Sequence, residues 1–342
     1  MTTTVPSAAE KIKAISRSLY SAPGEALQLS EQLLADSLAY HDRATQVQAS
    51  IFISITQDQL GQRFDGAQLL IDALAICEQD QLGLLEAQVL ERLGRDRYTA
   101  GLYAESLDYW TRCIGQCRSL HHCGYSHIFA LIGLGHICSA YNEYLQGAEF
   151  YRAAMLLLRL SPDPLIFAKA QLSLGWDLYN GGEVEEATRI LKDSVAFSRE
   201  HGFGHYVSES LLHLGTVYLK AHDLVQAEFY LEEALEALLE TPSHWAECNV
   251  LGMLAEVRFL QGSPQMARDM IERAIHLAQL DGMRHIEARL NAQAAGYCAA
   301  LNDEHGIEYY GHQLDRLYEI NTEAWHIPPI NLSHIRQYLP RR

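Results

Sequence analysis

The chain has 342 residues, 48% of them apolar, with 43 acidic side chains against 26 basic ones and a formal charge of −17. So acidic a surface repels phosphate backbones, which argues against nucleic acid as a direct partner. No run of eighteen apolar residues occurs, so no membrane span is expected. The opening stretch MTTTVPSAAEKIKAIS lacks a basic segment followed by an apolar one. It reads as a short tail (residues 1–10) without an export signal, which places the protein in the cytoplasm with its seven cysteines as free thiols.

From there the chain repeats itself. In chain order, Ala26 lies in APGEALQLSEQLL and Ala67 in QRFDGAQLLIDAL. ERLGRDRYTAGLYAESLDYW carries Leu93-Gly94 and Ser106, and IGLGHICSAYNEYLQGAEFY carries Leu134-Gly135 and Gly147. LSLGWDLYNGGEVEEATRIL, LHLGTVYLKAHDLVQAEFYL and GMLAEVRFLQGSPQMARDMI follow, with Ala187, Ala227 and Ala267. Ile307 falls in the same slot at the far end. The gaps between slot residues are 41, 39, 41, 40, 40, 40 and 40. Self-similarity at this period marks a stack of supersecondary units, each unable to bury its apolar face alone.

Inside each repeat the apolar spacing is helical. Leu231, Leu235, Leu238 and Leu239 fall at i, i+4, i+7 and i+8. Asn180-Gly181-Gly182 and Gly262 mark breaks between two helical runs. No segment alternates with a period of two, so no sheet is predicted. The Leu-Gly of the first helix and the small slot residue of the second let two helices approach closely.

Leu214, Gly215, Tyr218, Leu224, Ala227, Leu231 and Ala234 together resemble the tetratricopeptide repeat family. The period is longer than usual, as in a subclass found in bacterial signalling proteins. The resemblance covers residues 11–320, is strongest over 87–281, and leaves 321–342 as a C-terminal tail. It implies an all-α fold, a right-handed superhelical solenoid of about eight antiparallel helix pairs. It also implies a concave groove lined by first helices, in which family members bind an extended peptide or a partner helix.

Alignment places Arg95, His136, Trp176, Thr216 and Glu256 just after the Leu-Gly pair or its Leu254-Ala255 equivalent, pointing away from the core. Tyr98, Tyr179, Asn180 and Lys220 lie about a turn further along. Trp176 and Tyr179 carry the strongest expectation, because Trp, Tyr and Arg dominate interface hot spots. The resemblance implies that Asn180 holds a peptide backbone through its amide. Lys220 also reads as a solvated charge, and the Glu-rich starts of second helices as hydrated surface.

RCIGQCRSLHHCGYSH, residues 112–127, looks like a metal site. Cys113 and Cys117 sit on one helix, with His121, His122 and Cys123 in a loop. A structural zinc needs four converging ligands. Yet Cys113 falls where other repeats have Ala234 and Ala274, a small buried filler. Gly124-Tyr125-Ser126-His127 recurs as Gly202-Phe203-Gly204-His205 and Gly282-Met283-Arg284-His285, a helix-capping junction. Packing therefore explains most of the cluster, and no metal or other cofactor is predicted.

No HExxH, GxxxxGK[ST] or GxSxG occurs, and Gly133-Leu134-Gly135 lies inside a helix. The chain reads as a non-catalytic interaction module with a protein or peptide partner. The alternative is the sensory half of a bacterial signalling protein, such as the N-terminal part of a diguanylate cyclase or a peptide-responsive regulator. In that case the chain is a fragment, or its output lies on another chain. Pro328-Pro329 stops any continuing helix. The tail beyond it either folds back on the last repeat or reaches a neighbour's groove. A homodimer through end repeats or tail is a further expectation.

Overall fold

The computed structural model describes residues 7–61, 67–120, 124–321 and 328–340. Two compact units emerge, one of residues 1–161 with 329–342 and one of residues 162–328. The first holds α1 (Ala8–Ser18), α2 (Pro23–Ala39), α3 (Arg43–Gln59), α4 (Ala67–Asp80), α5 (Gly83–Thr99), α6 (Tyr103–Ser119), α7 (Tyr125–Ala140) and α8 (Tyr144–Leu158). The second holds α9 (Pro164–Asn180), α10 (Val184–Glu200), α11 (Gly204–Lys220), α12 (Leu224–Glu240), α13 (His244–Leu260), α14 (Pro264–Leu280), α15 (Arg284–Ala300) and α16 (Glu304–Asn321). A short 3-10 helix, Ile335–Tyr338, lies near the end of the described chain. Among the described residues there is no strand, and no helix is long and apolar enough to cross a membrane.

Among the described residues the helices form eight pairs in chain order, an odd-numbered helix followed by an even-numbered one. Helix α1 starts within the segment read as tail, because Ser7 and Glu10 form a reciprocal capping box there. In each unit, successive helices pack side by side. Odd helices also touch the next odd helix, as α5 does α7 and α11 does α13. The odd helices thus form one face of each unit.

The Leu-Gly motif works by close approach. A Cβ on Gly215 would stand 2.5 Å from Leu231 Cγ, and one on Gly175 would stand 2.7 Å from a Leu191 methyl. The slot residues Ala26, Ser106, Ala187, Ala227 and Ala267 are fully buried. Ser106 donates to Gly94 O at 2.7 Å, which ties α6 to α5. Ile307, in the same slot of α16, is 40% exposed, the expected fate of a terminal unit with nothing stacked beyond it.

Helix ends follow the same period. At the bend between odd and even helices, Asn142, Gly182, His222, Gly262 and Asn302 all have left-handed backbone, φ 61°, 89°, 59°, 82° and 57°. At the other bend, Phe203 N–H reaches Ser198 O and Gly202 N–H reaches Arg199 O, the double bond of a Schellman cap. His222 carries a Cβ in a region that favours glycine. His222→Gly is therefore expected to stabilise the protein by about 0.5–1 kcal/mol, after allowing for glycine's extra chain entropy. An unchanged or lowered urea midpoint would refute this.

Candidate peptide-binding surface

Along each odd helix, a buried leucine and a glycine or alanine are followed by one side chain that turns outward. Leu93, Leu134, Leu174, Leu214 and Leu254 are buried, while Arg95, His136, Trp176, Thr216 and Glu256 are half-buried. The repeat places each of the five at the equivalent position on the odd-helix face of its own unit.

In the first unit this face holds a run of rings. The Arg95 guanidinium lies over the Phe129 ring, 5.8 Å from its centroid. Tyr98 stands 5.3 Å from Tyr103, 5.7 Å from Trp110 and 6.0 Å from His136, ring centre to ring centre. His136 Nδ1 is 2.9 Å from the Tyr151 hydroxyl, which also lies 3.3 Å from Ser139 Oγ. Tyr151 comes from the even helix α8 and crosses above Gly135, where a Cβ would lie 2.5 Å from its ring. Gly135 thus serves as the gap through which an even-helix ring reaches the odd-helix face. Tyr98 and His136 are held in place by aromatic neighbours, and Arg95 by a cation–π contact.

In the second unit Trp176 stacks flat on His213 of α11, with centroids 4.1 Å apart and planes at 18°. Tyr179 lies 5.5 Å from Trp176. Burial pushes the His213 pKa down to about 4, so a neutral imidazole faces the indole at neutral pH. Burial raises the Tyr179 pKa as well, which keeps its hydroxyl protonated. Asn180 Nδ2 donates to Trp176 O at 2.8 Å, and Thr216 Oγ1 to Leu212 O at 2.9 Å. Both groups are therefore engaged with their own helices. Lys220 is exposed as the last residue of α11, where a cation offsets the helix dipole. Glu256 accepts a hydrogen bond from Tyr297 Oη at 3.0 Å, and that tyrosine ring packs 4.9 Å from Phe259.

His213, Tyr151 and Tyr297 escaped the sequence reading. Each belongs to a different helix from the residue it meets, so repeat alignment alone does not pair them. A signal for Tyr151 exists, since a bulky ring four residues after a small slot residue must find space over the paired glycine.

The cysteine and histidine stretch resolves in part. Cys113 and Cys117 are buried in α6, and the Cys113 thiol lies 3.2 Å from Ala87 O as a donor. His127 sits in the first turn of α7, and its Nε2 is buried without a hydrogen-bond partner. Burial, with the Arg118 charge adding to it, pushes its pKa down to about 4. His121, His122 and Cys123 lie outside the described residues. Among the described residues, no group of three His, Cys, Asp or Glu side chains is placed to hold a metal ion.

Residues 206–280 match the model of the tetratricopeptide repeat family. The chain folds as tetratricopeptide-type helical repeats. The apo form of RapI superposes with a TM-score of 0.66 over 93% of this chain and 99% of its own, at 12% identity. Aspartyl phosphate phosphatase F from Bacillus subtilis does so with 0.64 over 97% and 100%, at 10% identity. The Rap conjugation gene regulator of the plasmid pLS20, solved in complex with the Phr* peptide, gives 0.55 over 98% and 94%, at 15% identity. No curated protein sequence matches the chain.

Proposed function

We propose that this protein is a non-catalytic interaction module whose tetratricopeptide repeats bind an extended peptide or a partner helix on the odd-helix face. One observation carries the reading: the stacked Trp176–His213 pair with Tyr179 beside it, half-buried on the odd-helix face, the tyrosine seated against the core below. Two rigid rings at an angle to each other offer a large contact area at low entropic cost, the usual make-up of a peptide anchor. In the second unit Lys220 and Glu256 add charges of opposite sign, and the first unit by itself carries a separate set of candidate anchors, Arg95, Tyr98 and His136. The pLS20 regulator of the same fold was solved with a peptide, which supports a peptide as the class of ligand. A regulatory role, in which peptide binding sets the activity of another protein, is the second reading and rests on the same likeness.

A displayed library of random peptides tests this. Peptides enriched on the wild-type protein should bind a Trp176→Ala, Tyr179→Ala variant at least tenfold more weakly, with helicity and melting temperature held within a few degrees. Equal binding to both would move the binding surface away from these rings.

A further inference from the structure

The last described residues lie against the first unit as a strap. Leu332 and Ile335 are buried, 9% and 3% exposed, in a segment that is otherwise largely exposed. The 3-10 helix Ile335–Tyr338 packs on α6. Arg118 of α6 donates from its two terminal nitrogens to Gln337 O at 2.9 Å and Leu339 O at 2.8 Å. Its guanidinium also lies 5.9 Å from the Tyr338 ring centre. On α8, Glu149 pairs with Arg336 at 3.1 Å, and Gln146 Nε2 reaches Leu332 O at 3.5 Å.

These contacts have the make-up of peptide recognition. Two aliphatic side chains three residues apart are buried. Two main-chain carbonyls at alternate residues are read by one forked donor, which a lysine cannot imitate. A basic residue meets an acidic one, and a tyrosine covers the guanidinium. The polar contacts are at the surface, where each contributes little, and only two side chains are buried. A segment held this way stays docked because it is tethered, its effective concentration far exceeding that of a free peptide.

We propose that the even-helix surface formed by α6 and α8 is a peptide-docking seat, and that residues 329–340 of the same chain occupy it as a displaceable strap. The seat takes a segment with two aliphatic residues three apart, the second opening a 3-10 turn, followed by Arg and, two residues later, Tyr. It is distinct from the odd-helix rings, so it stands whether or not those rings bind a ligand.

The test uses the full chain and a fluorescent synthetic peptide of residues 329–340. A Leu332→Asp, Ile335→Asp variant releases the strap and should bind one equivalent of peptide. Wild type, its seat filled, should bind at least tenfold more weakly, and adding Arg118→Ala to the released variant should cost at least another tenfold. Absence of binding to a folded released variant, or binding that ignores Arg118, would overturn the proposal. So would a wild-type dimer in sedimentation that the strap substitutions convert to monomer, since the strap would then cross between copies. If the released variant does not fold, hydrogen exchange on Arg118→Ala decides. Amides of residues 332–339 should exchange at least tenfold faster than in wild type, and an unchanged rate would overturn the proposal.

Discussion

Gly94→Ala is expected to destabilise the protein by about 3 kcal/mol, although alanine is the better helix former by about 1 kcal/mol. The added Cβ would stand 2.4 Å from both Cδ1 and Nε1 of Trp110. That indole cannot move aside. It is 3% exposed, its Nε1 donates to Glu91 O at 3.2 Å, and its other edge lies over Gly133, where a Cβ would be 2.5 Å away. Trp110 of α6 is thus clamped between glycines on α5 and α7, and Gly133→Ala should have a similar cost. Trp110→Ala, which empties the same space, should cost about 3–5 kcal/mol. The natural pair Ala255 and Ile271, at the equivalent positions of α13 and α14, shows which combination fits an alanine. Gly94→Ala with Trp110→Ile should therefore lose less than the sum of the two single changes, by about 1 kcal/mol or more. Urea unfolding of the four proteins measures the coupling; strict additivity would mean that the ring and the glycine do not share one space.

Stability should fall steeply as pH drops from about 6.5 to about 4, through His213 and His127. Both have an ordinary imidazole pKa of 6.5 when unfolded and about 4 when folded. The unfolded chain then binds more protons between those values, so their contribution is complete above 6.5 and is lost as pH falls toward 4. At pH 5 each costs about 2 kcal/mol relative to pH 7. For His213 the physical event is protonation of a ring stacked on Trp176. For His127 it is a charge placed where Nε2 has no partner and Arg118 repels it. His205 works in the opposite direction. Its hydrogen bond to Glu209 raises its pKa, so its contribution is present at low pH and lost as pH rises through the folded value. Substituted proteins separate these effects. His213→Gln and His127→Gln should each flatten the difference between urea midpoints at pH 7 and pH 5. A His213→Gln protein as acid-sensitive as wild type would refute the neutral stack.

Much of the fold is legible in the sequence because its rules are local and repeat. A glycine after leucine, a small residue twelve positions on and a left-handed bend between them recur in repeat after repeat, and each has a short-range steric cause. Gly215 facing Leu231 and Gly94 facing Trp110 are the same contact made with different side chains. The outward turn of Arg95, His136, Trp176, Thr216 and Glu256 follows equally, since a helix fixes which residue faces away once its neighbours are buried. The Cys113 slot is legible for the same reason, its counterparts being small residues such as Ala234 and Ala274.

Residue spacing alone thus dictates the helix pair, its period and the face on which candidate anchors lie. Tertiary structure decided which of those anchors meet. Trp176 stacks on His213, Tyr151 crosses from α8 to His136, and Asn180 donates one amide N–H to Trp176 O of its own helix. It also decided the division into two units and the docking of residues 329–340 on α6 and α8 instead of on the last repeat. The physical reason is the same throughout. Contacts between side chains of different helices depend on rotamers and on helix separation, which periodicity does not encode, whereas backbone geometry and close approach within a pair impose residue types that the sequence must carry.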